Sequence, residues 1–87
     1  MRKIILHRQF VKSYKKLPQK IKTVFKERRS LFLDDETSPL LKIHDLQGDY
    51  VGYRSFNVNA DVRVIFKETE LDVFLFTDIG THSQLYS

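Results

Sequence analysis

Apolar residues near the start of the chain change from a continuous run to a helical period. The continuous run predicts a short strand over Lys3–His7 that is covered on both faces, and it consists of Ile4, Ile5 and Leu6. After Gln9 the apolar positions are spaced i, i+4, i+7, which places them on one face of a helix: Phe10, Tyr14 and Leu17. The chain therefore begins with a strand followed by an amphipathic helix.

A second helix follows Pro18, which is compatible with the first turn of a helix but not with its interior. Its predicted buried stripe has helical spacing and lysines opposite: Ile21, Val24, Phe25, Arg28, Leu31 and Phe32. The acidic, turn-rich segment Asp34–Pro39 predicts its end. So short a connection between the two helices favours an antiparallel pair.

The second half of the chain predicts three strands. Residues 50–58 alternate between apolar and polar positions, residues 59–61 (NAD) indicate a turn, and Val62–Lys67 alternates again. A second polar turn is expected at residues 68–70 (ETE). It precedes a strand at Leu71–Phe76 that is rich in aromatic and branched residues.

This order of elements predicts an α+β fold in one domain over residues 1–87. We expect an antiparallel sheet, made of the N-terminal strand and a three-stranded meander, with the two helices packed on one face. The other face, which we expect to carry Arg54, would be open to solvent or substrate. The segment Ile79–Ser87 contains Gly80 and is expected to cap the sheet edge.

Composition narrows the class of protein. The 87 residues include no cysteine, which excludes disulfides, thiolate metal sites and a cysteine nucleophile. The net charge of +4 is unevenly distributed. Residues 1–33 contain eleven Lys and Arg and one acid, whereas residues 34–87 contain four Lys and Arg and ten acids. This asymmetry indicates either a surface that meets a polyanion or a solvated basic face on the helices.

Other classes of site find no support in the sequence. The apolar run near the start is too short for a signal peptide or a membrane span, so we expect a cytoplasmic protein with no membrane partner. No histidine pair falls at i, i+4, and the acids of residues 34–36 are typical of a helix-end turn, so we expect no metal and no cofactor. The three glycines are too scattered for a phosphate-binding loop.

The histidines are the candidates for proton transfer near neutral pH. His44 precedes the predicted hairpin, and His82 follows the last predicted strand. Asp61 lies in the hairpin turn, with Arg54 and Arg63 on the two flanking strands, so these elements can converge at one edge of the open face. His7 has no place in this arrangement and is interpreted as structural or surface.

These residue types would suit cleavage of a phosphodiester without a metal. The reaction needs a base for the 2′-hydroxyl, an acid for the leaving 5′-oxygen and cations for the developing charge on the phosphorane. The same residue types also occur at ordinary surfaces. Taken alone they do not establish a nuclease.

Several short segments between His44 and Tyr86 resemble YafQ-type toxins of the RelE/ParE superfamily. They occur in the same order and spacing: His44–Gly48 (HDLQG), Gly52–Arg54 (GYR), Asp61, and Gly80–Tyr86 (GTHSQLY). The resemblance covers about half of the chain in residues. The first half resembles the family in its pattern of a strand and two basic helices.

The resemblance implies a toxin of a type II toxin–antitoxin system that cuts mRNA in the 70S ribosome, without metal or cofactor. It also implies inhibition by a cognate acidic antitoxin. His82 matches the C-terminal catalytic histidine, His44 the loop histidine, and Asp61 the hairpin carboxylate. In this scheme Asp61 or His44 accepts the 2′-hydroxyl proton, and His82 protonates the leaving oxygen.

The remaining expected roles concern binding of the RNA. Arg54, helped by Arg63, would hold the phosphate, because a guanidinium fork suits phosphate oxygens. Tyr86 matches a terminal aromatic residue that would stack on a base.

Two positions depart from the resemblance. The family usually has a histidine where this chain has Asn57 and an aromatic residue where it has Val62. Asn57 can form a hydrogen bond to RNA but cannot transfer a proton at neutral pH. Two alternatives therefore stay open: a ParE-like inhibitor of DNA gyrase, and a binding module for RNA or protein with impaired catalysis.

Overall fold

The computed structural model describes residues 2–86 and contains five strands, three α-helices and one short 3₁₀ turn. In chain order they are β1 (Lys3–Leu6), α1 (Arg8–Lys15), α2 (Gln19–Asp34), β2 (His44–Asp45), the 3₁₀ turn (Gly48–Tyr50), β3 (Arg54–Asn57), β4 (Val62–Glu70), β5 (Val73–Thr81) and α3 (His82–Tyr86). The predicted strand, the two basic helices and the break at Pro18 are confirmed. None of the helices in this described part of the chain is long and apolar enough to cross a membrane.

All five strands belong to one sheet, in the order β1-β5-β4-β3-β2. Strands β2 to β5 are antiparallel to their neighbours, which confirms the predicted meander. Strand β1 runs parallel to β5, with Lys3 paired to Val73, so its expected antiparallel direction is wrong. No hairpin joins β1 to its neighbour. The long connection through both helices leaves the parallel direction available.

The core lies between the two long helices and the sheet and is dominated by phenylalanine. All seven phenylalanines of the chain are buried. Phe32 of α2 stands at the centre, where its ring contacts four others at centroid distances of 5.0 to 5.5 Å: Phe56, Phe66, Phe74 and Phe76. These rings come from β3, β4 and β5, so one helix residue joins three strands.

The strand predicted over residues 50–58 is shorter in the structure. It covers only Arg54–Asn57, because two successive turns precede it. Gly48 and Gly52 both have positive φ angles, 64° and 92°, which glycine adopts without strain. Val51 between them is 72% exposed, so the alternation at residues 50–53 does not mark a buried face.

The turn predicted at residues 68–70 lies further along the chain. Strand β4 continues to Glu70, and the chain reverses at Leu71 and Asp72. Asp72 has a positive φ of 62°, which aspartate tolerates better than most residues, and its amide donates to the Glu68 carboxylate at 2.9 Å. The polar residues at this end of the hairpin are exposed strand positions.

The segment after Thr81 forms a helix, α3, which the sequence analysis did not predict. Thr81 and Gln84 form a reciprocal capping box: the Gln84 amide donates to Thr81 Oγ1 at 3.2 Å, and the Thr81 amide donates to Gln84 Oε1 at 2.9 Å. Residues 79–81, expected in the cap, extend β5 instead. Ser87, the last residue of the expected cap, lies outside the described residues.

Candidate functional site

The open face of the sheet carries the side chains that alternate with the phenylalanine core. On β3, Phe56 is fully buried in that core, so Ser55 and Asn57 belong to the opposite face. Strand pairing places Arg63 of β4 beside Asn57, and therefore on this face as well. Gly80 of β5 pairs with Arg63 on the other side.

Arg54 lies on the helix-covered face, so its expected place on the open face is wrong. It pairs with the core residue Phe66, and its guanidinium carbon stands 5.1 Å from the centre of the Phe66 ring. The alternation of β3 around Phe56 requires this orientation. The structure therefore does not bring Arg54 together with the histidines.

His44 is held at the sheet edge by hydrogen bonds to both of its ring nitrogens. Nδ1 lies 3.0 Å from the carbonyl oxygen of Lys42, which only accepts, so Nδ1 carries the proton and donates. In the neutral ring Nε2 is then the acceptor, and the hydroxyl of Ser55 donates to it at 3.3 Å. Ser55 is completely buried, whereas His44 is exposed.

Helix α3 brings His82 and Tyr86 to the same region. The two rings are one helical turn apart, with centroids separated by 4.7 Å. The helix starts directly from β5, and its capping box fixes the direction in which His82 leaves the sheet. A Cβ at Gly80 would lie 2.9 Å from Gln84 Oε1, so a larger residue there would disturb the start of α3.

Tyr86 connects the elements of the site. Burial raises the pKa of its phenol, while Arg63 and hydrogen bonding with Ser55 oppose this shift. Because the change in pKa is upward, the phenol keeps its proton at neutral pH. Ser55 and Arg63 belong to β3 and β4, so both strands lie close to Tyr86.

Tyr50 of the 3₁₀ turn holds α3 against the sheet. Its hydroxyl donates to the carbonyl oxygen of Leu85 at 3.1 Å, and its ring packs edge-on against Tyr86 at 5.5 Å. The sequence predicted no role for Tyr50. No pattern in the sequence signals this contact, because it depends on a helix 35 residues further along the chain.

Asp61 and Asn57 occupy the end of the sheet near α3. Val62 pairs with Thr81, so Asp61 and His82 each lie one residue beyond this pair at the same end of the β4–β5 hairpin. Asp61 is exposed, and its backbone amide donates to Asn59 Oδ1 at 2.9 Å. Within residues 2–86, no three His, Asp or Glu side chains form a group that could hold a metal ion.

The arrangement supplies the groups needed for proton transfer next to a phosphate. It combines two imidazoles, a protonated phenol and the guanidinium of Arg63 on the open face. Ser55 is a further member that the sequence analysis missed. The alternation of β3 identifies its face, but its contact with His44 depends on β2, which the sequence did not predict.

Comparison with known proteins agrees with this architecture. A profile described as bacterial toxin of type II toxin-antitoxin system, YafQ, matches residues 2–87. None of the curated protein sequences matches the chain significantly.

Solved structures of bacterial toxins are similar to this chain in sequence and fold. E. coli YafQ has 29% sequence identity and a TM-score of 0.82, and the alignment covers 100% of both chains. The E. coli DinJ–YafQ toxin–antitoxin complex contains a chain that is 31% identical, with a TM-score of 0.78 and coverage of 99% of this chain and 98% of that one. A YoeB/ParE toxin from Agrobacterium tumefaciens, 15% identical with a TM-score of 0.75, covers 92% of this chain and 98% of its own and shares the fold alone.

Proposed function

The chain belongs to the YafQ family of toxins from bacterial type II toxin–antitoxin systems, and we propose that it is an endoribonuclease that cleaves mRNA in the ribosome. The observation that carries this proposal is the convergence of His44, His82 and Tyr86 on the open face. Two imidazoles at one site supply a base and an acid, which is what internal attack by a ribose hydroxyl requires.

The proposed reaction proceeds by attack of the 2′-hydroxyl on the adjacent phosphorus, without a metal or cofactor. Asp61 accepts the 2′-hydroxyl proton as the O2′–P bond forms, or His44 does so after its Nε2 exchanges the Ser55 hydroxyl for the 2′-hydroxyl. His82 donates a proton to the 5′-oxygen as the P–O5′ bond breaks, which leaves a 2′,3′-cyclic phosphate and a free 5′-hydroxyl. Each proton transfer contributes about 10² to 10⁴ in rate.

Arg63 is the cation that we assign to the phosphorane in place of Arg54. It lies on the open face beside Asn57 and acts electrostatically on Tyr86, whereas Arg54 packs on the core ring of Phe66. A guanidinium can donate two parallel hydrogen bonds to phosphate oxygens, which suits the charge that develops there. Asn57, on the same face, can donate a further hydrogen bond to the RNA.

The proposed partners are the 70S ribosome with its mRNA and a cognate antitoxin, in the cytoplasm. The E. coli relative was crystallised with the antitoxin DinJ, and an acidic antitoxin segment would complement the basic helices of this chain. A ParE-like inhibitor of DNA gyrase is the alternative activity on this fold. The paired imidazoles favour the nuclease, because a protein that only binds has no need of them.

The test is cleavage of ribosome-bound mRNA, mapped by primer extension, with toxin purified free of antitoxin. Replacing the proposed acid, His82→Ala, is expected to lower the cleavage rate by about 10² to 10⁴. The control is Thr23→Ala. Thr23 is exposed on α2, on the helix side of the sheet, and its hydroxyl donates to the Gln19 carbonyl oxygen at 3.1 Å.

The control variant should cut like the wild type. Full activity of His82→Ala would refute the mechanism. No discrete cuts by folded wild-type protein would refute the nuclease and direct attention to gyrase inhibition or to binding alone.

A further inference from the structure

Four rings form a continuous row on the open face of the sheet. Centroid distances between neighbours are 4.7 Å for His82 and Tyr86, 5.5 Å for Tyr86 and Tyr50, and 6.1 Å for Tyr50 and Tyr53. At the far end, the Lys67 ammonium lies 4.9 Å from the centre of the Tyr53 ring. We call these five residues the aromatic track.

The track is separate from the core. Its three tyrosines are half-buried and His82 is exposed, whereas the fourth tyrosine of the chain, Tyr14, packs against core phenylalanines on the helix side. An open groove of about 520 Å³ runs beside the far end and is lined by nine residues, among them Tyr50, Tyr53 and Lys67. The track thus provides partly accessible rings next to an unfilled groove.

Charges around the groove indicate which part of a nucleic acid enters it. Lys67 lies at one end of the track and Arg63 acts on Tyr86 near the other, so a phosphate backbone can follow these two cations. Asp49 and Asp78 also line the groove and would repel phosphates there. Within the groove a base is therefore expected beside these two carboxylates, and a phosphate at Lys67.

We propose that the aromatic track binds the single-stranded RNA that flanks the scissile phosphate, with a base stacked on Tyr53 and the phosphate held by Lys67. This inference rests on the proposed function, which places the cleaved bond at the His82 end. Aromatic rings stack on bases of any identity, and a cation nearby strengthens the contact with the backbone. A duplex does not fit this arrangement, because its base faces are already stacked within the helix.

The binding test uses the four tyrosines as reporters. The full chain, with ¹³C-labelled tyrosine rings, is titrated with a short single-stranded RNA whose 2′-hydroxyls are methylated so that it cannot be cleaved. Stacking of a base should shift the ring signals of Tyr50, Tyr53 and Tyr86 and leave that of Tyr14 unchanged. Saturable binding without shifts at Tyr50 and Tyr53, or no binding, would refute the track.

Two variants of Tyr53 distinguish the contribution of its ring to RNA binding from that of its hydroxyl. Tyr53→Ser should weaken binding of the same RNA by about tenfold or more, whereas Tyr53→Phe should change it by less than about twofold, because stacking needs only the ring. Lys67→Gln should lower the dependence of binding on salt. Equal affinities of Tyr53→Ser and wild type, or equal competition by a duplex of the same length, would refute the proposal.

The two proposals fail in different ways. If Tyr53→Ser binds and cleaves like the wild type, RNA binding along the aromatic track is refuted and the proposed nuclease activity is not affected. If the wild type binds the RNA along the aromatic track but never cuts ribosome-bound mRNA, the proposed nuclease activity is refuted and RNA binding along the track is not.

Discussion

Ser55 contributes to the site through one hydroxyl group. It is completely buried and cannot touch the RNA, but it donates to Nε2 of His44 while the Lys42 carbonyl accepts from Nδ1. A hydroxyl can also accept, so it can serve His44 in both protonation states. Ser55 is therefore a positioning residue, which orients the proposed base without contacting substrate.

Removal of this hydroxyl should separate catalysis from stability. Ser55→Ala is expected to lower kcat by about tenfold to a hundredfold with little change in KM, because His44 loses its orientation. The unfolding free energy should fall by about 1 kcal/mol. Ribosome-dependent cleavage kinetics measure kcat and KM, and urea denaturation measures the unfolding free energy.

Thr77→Val is the matched control for Ser55→Ala. Thr77 Oγ1 donates to the Ile65 carbonyl at 3.0 Å in the same sheet, away from His44. The Thr77→Val variant should lose a similar amount of unfolding free energy and keep the wild-type kcat. Equal losses of kcat in the two variants would show that Ser55 acts only through the fold.

At the residue scale, the sequence predicted the site only in part. The structure brings His44 and His82 to one face because β2 and α3 place them there, although neither element was predicted. It directs Arg54 to the core face, because the alternation of β3 places Arg54 on the same side of the sheet as the buried Phe56. Tyr50 joins the site through the contact with Leu85, which no local pattern reveals.

At the element scale, α2 is held to the sheet mainly by Phe32. Its ring has no exposed area and meets four other phenylalanine rings from three strands. Large aromatic side chains contribute more stabilisation by burial than any other residue type, and their edge-to-face contacts add to it. The attachment of the helix layer thus depends strongly on one position.

Phe32→Ala is expected to lower the unfolding free energy by about 3 to 5 kcal/mol, measured by urea denaturation with circular dichroism. Domains of this size have a total of about 5 to 15 kcal/mol, so much of the stability would be lost. The control is Leu33→Ala on the same helix, where the side chain is 40% exposed and the loss should be far smaller. Similar losses in both variants would contradict the central role of Phe32.

The helices, unlike the ends of the strands, follow from local signals. Pro18 and the apolar stripe determine α2, and the Thr81–Gln84 capping box signals α3, although the sequence analysis did not use it. The strand ends follow from tertiary structure. The exposed residues at the hairpin end of β4 have no hydrophobic pattern that would mark them as strand. The direction of β1 depends on its pairing with β5, 70 residues further along the chain.

At the scale of the whole molecule, the basic helix residues and the candidate functional site lie on opposite faces of the sheet. The basic residues of the first third belong mostly to α1 and α2, whereas the candidate site lies on the open face of the sheet. The proposed nuclease would therefore present a catalytic face to mRNA and a basic face to surrounding ribosomal RNA or to an antitoxin. The charge asymmetry is present in the sequence, and the predicted fold, with the basic helices on one face of the sheet and the other face open, already implies this division.

Charge on the helix face should affect docking and not chemistry. The double variant Lys12→Gln/Lys15→Gln is expected to weaken ribosome binding and to reduce the slope of log K against log salt by about 1 to 2, because fewer counterions are released. The cleavage rate at saturating ribosome should not change. Binding is measured by sedimentation at several salt concentrations.

The matched control for this double variant is Lys12→Arg/Lys15→Arg, which keeps both charges and should retain the wild-type slope. If the glutamine variant also kept that slope, α1 would not face ribosomal phosphates.

The parallel pairing of β1 with β5 has a consequence for the synthesis of the protein. Strand β1 and helix α1 are made first, yet both pack against β5, which comes from residues 73–81. While the ribosome is still making the middle of the chain, β1 has no strand to pair with, and α1 can pack only against α2 through Phe25. His82 and Tyr86 follow directly after β5, so the nascent polypeptide completes its sheet and acquires these two residues of the candidate site in the same late interval. A half-made copy therefore lacks both the partner strand of β1 and the proposed acid His82.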